Sequence, residues 1–363
     1  MTFKKVVFVR RSYRIDGGAE SALGAYISAY KNLGFECSLV AEKWSGPSID
    51  QLTNIKRVRS TGLDRYSKLK KFTEGAAAEI AQLSHEYLTQ SHEWVPGCHI
   101  LRLGDGLHST WVEKYLDTKG VFARLFLLIS RFHRYKLKIE RDCLTDPKLK
   151  YIIVNSEMVR SDLVTRYPLV TEKIRLIRNI PNISVLSKPL AHKNSRYTFG
   201  FAGSGWERKG LTFVLKALSL IDGATLIIIG KDRQAYKYRR IVDQLGMSER
   251  VVFAGVISDM RKFYSDIRVL VHPAIYDPSP NVAIEALCSG IPVVCSRDTG
   301  TSDFAEDCGV FTILELCEKH VAEEMKRALV LGIDARADIS KKMNRYNQAY
   351  LRSEIEDLLG EVQ

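Results

Sequence analysis

The sequence has no C-x-x-C pair, although it contains seven cysteines. Cys37, Cys98, Cys143, Cys288, Cys295, Cys308 and Cys317 are odd in number and scattered, which argues against a disulfide framework or a thiolate metal centre. We expect reduced thiols in a cytoplasmic protein and no bound metal. The eight histidines also lack ligand spacing. No segment approaches the roughly 20 apolar residues needed to cross a bilayer. The opening MTFKKVVFVRRSYR is too short in apolar residues for the core of a signal peptide and reads as a first strand. There is no G-x-G-x-x-G fingerprint either. The candidate glycine loops read DGGAES and GSGWER, and Arg208 takes the place of the third glycine in the second. This counts against a nicotinamide-dependent oxidoreductase, although Glu42 is an acid near the end of a second strand. The formal net charge is +12, yet no helix-turn-helix, zinc-finger or RNP-type signature accompanies it. The charge therefore points to anionic partners other than nucleic acid.

What is present is a chain of 363 residues with 45% apolar and 26% charged residues, enough for two domains with real cores. KKVVFV, a loop with Gly17 and Gly18, the helix-period stretch AESALGAYISAYKNLGF and the strand ECSLVAE form a β-loop-α-β unit of a parallel sheet. HILRLGDG reads as a strand entering a loop, and LKYIIVNSEMVRSDLVTRY as a strand and then a helix capped near Ser156. Residues 179–195, with two prolines and several polar turn formers, read as a linker. After it YTFGFAG, SGWERKG and LTFVLKALSLI repeat the strand-loop-helix plan, followed by the short strands TLIIIGKD, RVVFAG, IRVLVHPA and IPVVCS. The expected fold is α/β, with two Rossmann-like, doubly wound parallel-sheet domains. We assign 1–180 to the first domain, 181–345 to the second and 346–363 to a helical tail that can pack back on the first domain.

Ligands of open α/β sheets bind at the carboxyl ends of the strands, where this sequence places its unusual residues. In HPAIYDPSPNVAIEALCSGIPVV a strand ends, Ser279 can serve as N-cap with Pro280 at the first helical position, and the amides of Asn281, Val282 and Ala283 would be free to meet a phosphate. Glu285 can accept hydrogen bonds from a vicinal diol such as a ribose, and Asp277 can hold hydroxyls of a second ring. His272, closing an apolar strand, reads as structural. In GSGWERKGL the cations Arg208 and Lys209 would face the same phosphates and stabilise a departing diphosphate. The Gly17-Gly18 pair would let backbone approach that anion without a Cβ in the way.

The spacing of Asp277 and Glu285, the helix NVAIEALCSGIPVV, GSGWERKG and the amino-terminal glycine loop resemble the retaining glycosyltransferases of the GT-B fold, family 4. LGDGLHSTWVEKY, SRFHRYKLKIERDCL and LKYIIVNSEMVRSDL are similar to the bacterial lipopolysaccharide-core glucosyltransferases that extend a heptose. The resemblance implies a nucleotide-sugar donor, UDP-linked in most members, and transfer with retention to a saccharide or lipid-linked acceptor. It places Glu285 on the ribose, Arg208 and Lys209 on the diphosphate, Asp277 on the transferred sugar, and Asp105, ahead of His108, near the reacting centre. The sequence has no Asp-x-Asp, consistent with diphosphate handling by cations and N–H groups and with no cofactor. Two departures bear on the donor. Asp277 stands where the family usually has Glu, and Pro280 where it commonly has Gly.

The basic stretches 56–71 and 123–138 mix cations with aromatic and aliphatic residues, the composition of a segment resting on an anionic membrane surface. Taken with this composition, the resemblance implies a peripheral place on the cytoplasmic side of a bacterial inner membrane. The alternatives are a nucleotide-sugar epimerase of the same fold, which needs acid and base residues for proton abstraction, the nicotinamide oxidoreductase already weighed, and a basic adaptor without catalysis.

Overall fold

A computed structural model describes residues 3–13, 18–44, 51–119, 127, 129–181, 197–331 and 333–362. The expected linker lies outside these residues from 182 to 195, as do Gly17 and residues 123–126 and 128 of the second basic stretch. The chain divides into two compact units, Met1–Ile180 with Gln348–Gln363, and Pro181–Asn347.

The strands of the first unit are β1 (Lys5–Val9), β2 (Ser12–Tyr13), β3 (Glu36–Ala41), β4 (Lys43–Trp44), β5 (Asn54–Arg57), β6 (Tyr87–Ser91), β7 (Ile100–Leu103), β8 (Tyr151–Val154) and β9 (Ile174–Leu176). Seven of them form one sheet in the order β5-β3-β1-β6-β7-β8-β9, with all pairs parallel. β1 (KVVFV) and β8 (YIIV) are near-continuous apolar runs, as suits strands covered by helices on both faces, whereas the inner strand β6 reads YLTQS. Val6 and Phe8 of β1 pack with Leu23 and Ile27 of the Gly18–Asn32 helix, whereas Val7 and Val9 meet Phe72 and Ala76 of the Arg65–Ala81 helix. The alternation of strand side chains between two faces thus sorts successive β1 residues into two separate cores.

The terminal helix Gln348–Val362 belongs to the first unit, where Leu351, Ile355, Leu358 and Leu359 join Leu23, Ile27 and Tyr30. Their spacing of 4, 3 and 1 is one helical face. Burial of about four aliphatic side chains, at roughly 1.5–3 kcal/mol each as an upper bound, explains why the chain returns to its first sheet.

The second unit carries β10 (Thr198–Ala202), β11 (Thr225–Ile229), β12 (Val251–Gly255), β13 (Val269–His272), β14 (Val293–Ser296) and β15 (Val310–Ile313). Their order is β12-β11-β10-β13-β14-β15, again parallel throughout. Counted from β10 this is the doubly wound 3-2-1-4-5-6 order, with the reversal between β10 and β13. Phe199, Phe201, Leu226, Ile228, Val269 and Val271 form its core with Val214, Leu215 and Leu218 of the Leu211–Leu218 helix.

All seven cysteines are unpaired thiols, five of them buried. Among the described residues no helix is long and apolar enough to cross a membrane.

Candidate functional site

The two strands flanking the reversal point of the second sheet, β10 and β13, each end in a segment that carries charged residues. After β10 the chain turns through residues 203–210 into the Leu211–Leu218 helix. Gly203 has φ +126°, and a Cβ there would stand 2.8 Å from Cε of Lys209. The bare glycine therefore makes the channel along which the lysine stem lies. Gly210, at φ +78°, abuts the segment after β13, since its Cβ would lie 2.1 Å from the carbonyl oxygen of Pro273. Trp206 fastens the turn, its indole N–H donating to the Gly203 carbonyl at 2.8 Å and its amide to Asp232 at 2.9 Å.

After β13, residues 273–280 lead into the Asn281–Cys288 helix. Asp277 is tied on both sides by backbone bonds, donating to Asp298 O at 3.1 Å and accepting from the Gly300 amide at 2.9 Å. Its side chain meets the other strand's segment. Oδ2 accepts from Lys209 Nζ at 3.0 Å and from His272 Nε2 at 2.9 Å, with Arg208 Nη1 at 3.6 Å. Arg208 also donates to the Tyr276 carbonyl at 2.9 Å. Lys209 and Asp277 side chains are each 12% exposed, while Arg208 is 41% exposed.

The protonation states follow from this arrangement. Burial alone would raise the Asp277 carboxyl, but Lys209, the hydrogen bond from His272 and Arg208 hold it well below the usual carboxylate range. Burial and then Lys209 push His272 down to about 4 against the opposing pull of Asp277. An ionised carboxylate only accepts, so Nε2 carries the imidazole proton. Nδ1 is then bare and has no hydrogen-bond partner among the described residues. At neutral pH the cluster holds two cations, one anion and one neutral imidazole.

Glu285 is 8% exposed on the Asn281–Cys288 helix, and the hydroxyl of Tyr264 donates to its Oε2 at 2.9 Å. The same hydroxyl lies 3.1 Å from the Val282 carbonyl. Burial and the Glu285 carboxylate together push the Tyr264 phenol well up, so it remains a donor. The helix start differs from the expected one. Pro280 is the N-cap, at φ −68° and ψ 115°, and Asn281 is the first helical residue, so Ser279 lies one position outside. The Ala283 amide is not free, because it donates to the Pro280 carbonyl at 3.0 Å.

Asp277 was expected to hold sugar hydroxyls, and its Oδ2 is engaged by Lys209 and His272. His272, expected to be structural, is fully buried and donates to Asp277 within the charged cluster. A histidine closing a strand five residues before an acid was the available signal. Tyr264 gave no signal, since it lies on another helix 21 residues before Glu285.

The other expected site residues lie in the first unit. Gly18 opens the Gly18–Asn32 helix after β1, and Asp105 is exposed on the turn after β7. Near it, His108 is buried and stacked at 5.5 Å on Trp111, with Nε2 at 3.1 Å from His133 Nδ1. Burial, then Lys136 and His133, push His108 down to about 2, so it is neutral at physiological pH. Among the described residues no group of three His, Cys, Asp or Glu side chains is placed to hold a metal ion.

Two parallel sheets with these orders and this reversal-point site define the GT-B fold, and solved structures agree over nearly the whole chain. WaaG, a glycosyltransferase involved in lipopolysaccharide biosynthesis, superposes with TM-score 0.82 at 17% identity, covering 98% of this chain and 99% of that one. Anabaena HepE, solved in complex with UDP and glucose, gives 0.70 at 16% identity, covering 99% and 100%. Residues 196–330 match the family described as "Glycosyl transferases group 1", so the second unit carries a domain of that family. Among curated proteins, the lipopolysaccharide core biosynthesis glycosyltransferase LpsE of Rhizobium meliloti (strain 1021) is 33% identical over 101 residues, 28% of this chain and 30% of LpsE. The lipopolysaccharide glucosyltransferase WaaG of Escherichia coli (strain K12) is 23% identical over 238 residues, 60% of this chain and 62% of WaaG. The chain thus spans less than two thirds of the length of either curated relative.

Proposed function

We propose that the chain is a glycosyltransferase that moves a hexose from a nucleotide sugar, UDP-linked, to a saccharide of lipopolysaccharide core or a similar cell-surface glycan. The observation that carries this reading is the Arg208-Lys209 pair, anchored by Asp277 at the reversal point of the sheet in the part of the chain that matches the family. An ammonium has three donors, and Asp277 uses one, which leaves Lys209 able to meet a second anion. The half-exposed Arg208 guanidinium adds a fork for phosphate oxygens. Charge that develops on a departing diphosphate would be met by preorganised cations, the arrangement that supplies the largest part of many rate enhancements. Asp277 acts in this reading through Lys209, fixing the position of its ammonium. Glu285, oriented by Tyr264, takes the ribose hydroxyls, and the amides of Asn281 and Val282 lie at the helix end favoured by anions. Transfer with retention, without metal, and with Asp105 near the reacting centre completes the proposal.

We also propose peripheral attachment to the cytoplasmic face of an anionic membrane. The described parts of the two basic stretches meet on one surface. Arg131 lies over the Tyr66 ring at 4.5 Å, Arg65 over Phe132 at 4.6 Å, and Tyr66 packs edge-on against Tyr135 at 5.5 Å. Arg65, Lys68, Lys71, Arg131, Arg134 and Lys138 are exposed there, and Leu63 and Ile129 are exposed apolar side chains on the same two segments. Such a mixture suits lipid headgroups.

The test is incubation with a panel of sugar nucleotides and candidate glycan acceptors, read by mass spectrometry with and without EDTA. Release of a nucleoside diphosphate with sugar transfer, insensitive to EDTA, is the expected result. Turnover that needs added Mg²⁺ would overturn the metal-free part, and no turnover or binding of any sugar nucleotide would overturn the whole.

A further inference from the structure

The amino-terminal edge of the second sheet holds two arginines for which the reaction has no use. Arg336, on the Ile333–Met343 helix, is 4% exposed, and its Nη2 donates to the backbone carbonyl of Arg268 at 2.8 Å. Its Nε and Nη1 are buried and have no hydrogen-bond partner among the described residues, and the buried Nε of Arg268 has none there either. Burial and the neighbouring Arg268 push even the Arg336 guanidinium down to about 10. Buried ionic groups are costly unless paired, and buried polar atoms are almost always hydrogen-bonded. Two neighbouring arginines with three buried, unpartnered nitrogens therefore describe half of a charge pair.

We propose that Arg268 and Arg336 form a binding site for a small oxyanion of the phosphate class, separate from the donor site. The chemistry selects the ligand. Guanidinium N–H groups in a planar fork match tetrahedral oxyanions with several acceptor oxygens better than they match a halide. Arg268 is only half buried, so it is the arginine that an anion arriving from solvent meets first. Arg268 precedes β13 and His272 closes it, so about 13 Å of strand separates this site from the Asp277 cluster. A bound oxyanion would compensate the buried charge and secure the Ile333–Met343 helix to the start of β13.

The experiment is calorimetric titration and thermal unfolding of the full chain with inorganic phosphate, compared with sodium chloride at the same ionic strength. Wild type, Arg336→Met, Arg268→Met and the double variant Arg208→Ala/Lys209→Ala are compared. The expected result is a saturable phosphate-specific rise in the unfolding temperature of wild type, retained in the Arg208→Ala/Lys209→Ala protein, which separates this site from the donor site. Phosphate affinity should fall about tenfold or more in each Met variant, the loss of a charge-assisted contact. Arg268→Met, at the more exposed position, keeps the test available if Arg336→Met does not fold. The inference fails if phosphate stabilises wild type no more than chloride does, if both Met variants bind it as wild type does, or if binding disappears with Arg208 and Lys209.

Discussion

The ammonium of Lys209 and the carboxylate of Asp277 stand 3.0 Å apart, on segments that follow two different strands, each only 12% exposed. Removing one member of such a pair leaves an uncompensated charge, which costs more than removing both. Lys209→Met should therefore destabilise the protein by about 2–4 kcal/mol, measured by urea unfolding. Adding Asp277→Asn should recover a large part of that loss. Transfer should stay at least a hundredfold down in both variants, because the cation that meets the diphosphate is missing in each. Recovery of activity along with stability would show that Lys209 serves the fold alone.

Glu285 and Tyr264 separate in the same way. Tyr264→Phe removes the donor to Oε2, and a hydrogen bond to a buried charged group contributes about 1.5–3 kcal/mol. Its stability should fall by that amount, with UDP affinity, followed by calorimetry, reduced several-fold. Glu285→Ala removes the acceptor itself, and we expect at least a hundredfold loss of transfer by a folded protein. Equal UDP affinity in wild type and both variants would remove Glu285 from the donor site.

These relationships mark the boundary of what the sequence reveals. The parallel strands are legible because apolar runs such as VVFV and TLIII between helix-period segments have few other solutions. Arg208, Lys209, Asp277 and Glu285 are legible as residue types at strand ends. Their pairing is not, since Lys209 reaches Asp277 only because β10 and β13 become neighbours while β11 and β12 intervene in the chain. The cap of the Asn281–Cys288 helix escapes for a local reason. Proline fixes φ but not ψ, and at ψ 115° Pro280 is extended and stands before the first turn rather than in it. Tyr264 meets Glu285 only through the packing of two helices, which no spacing rule encodes.

Charge reversal offers a check on the surface built by the two basic stretches. Lys68→Glu, Lys71→Glu and Arg134→Glu together should weaken binding to vesicles containing phosphatidylserine, with a loss of about 1 kcal/mol or more for each cation replaced. Wild-type binding should itself weaken as salt is raised, because exposed charges are screened. These positions are exposed, so unfolding midpoints should stay close to wild type. Flotation of variant and wild type to the same extent would sink the membrane assignment.

Acid should destabilise the protein well above the range in which carboxylates titrate. Burial acts first on His272, His92 and His108, taking His272 down to about 4, His108 down to about 2 and His92 well below its ordinary value. In the unfolded chain each imidazole takes up its proton near pH 6.5. Between that value and the folded one the unfolded state binds more protons, so stability is fully present above about pH 6.5 and falls as pH drops towards 4. Each histidine contributes up to about 1.4 kcal/mol per pH unit within its window. Asp277, held low in the folded state, adds to the loss only once its unfolded counterpart protonates near pH 4. Urea midpoints at pH 7.5, 6 and 5 should decline progressively, and His272→Asn should flatten the curve while keeping a donor towards Asp277. A midpoint that does not change between pH 6.5 and 5 would mean that these imidazoles take up protons in the folded protein as they do in the unfolded chain. Asp277 would then face three cations, and the neutral role given to His272 would be wrong.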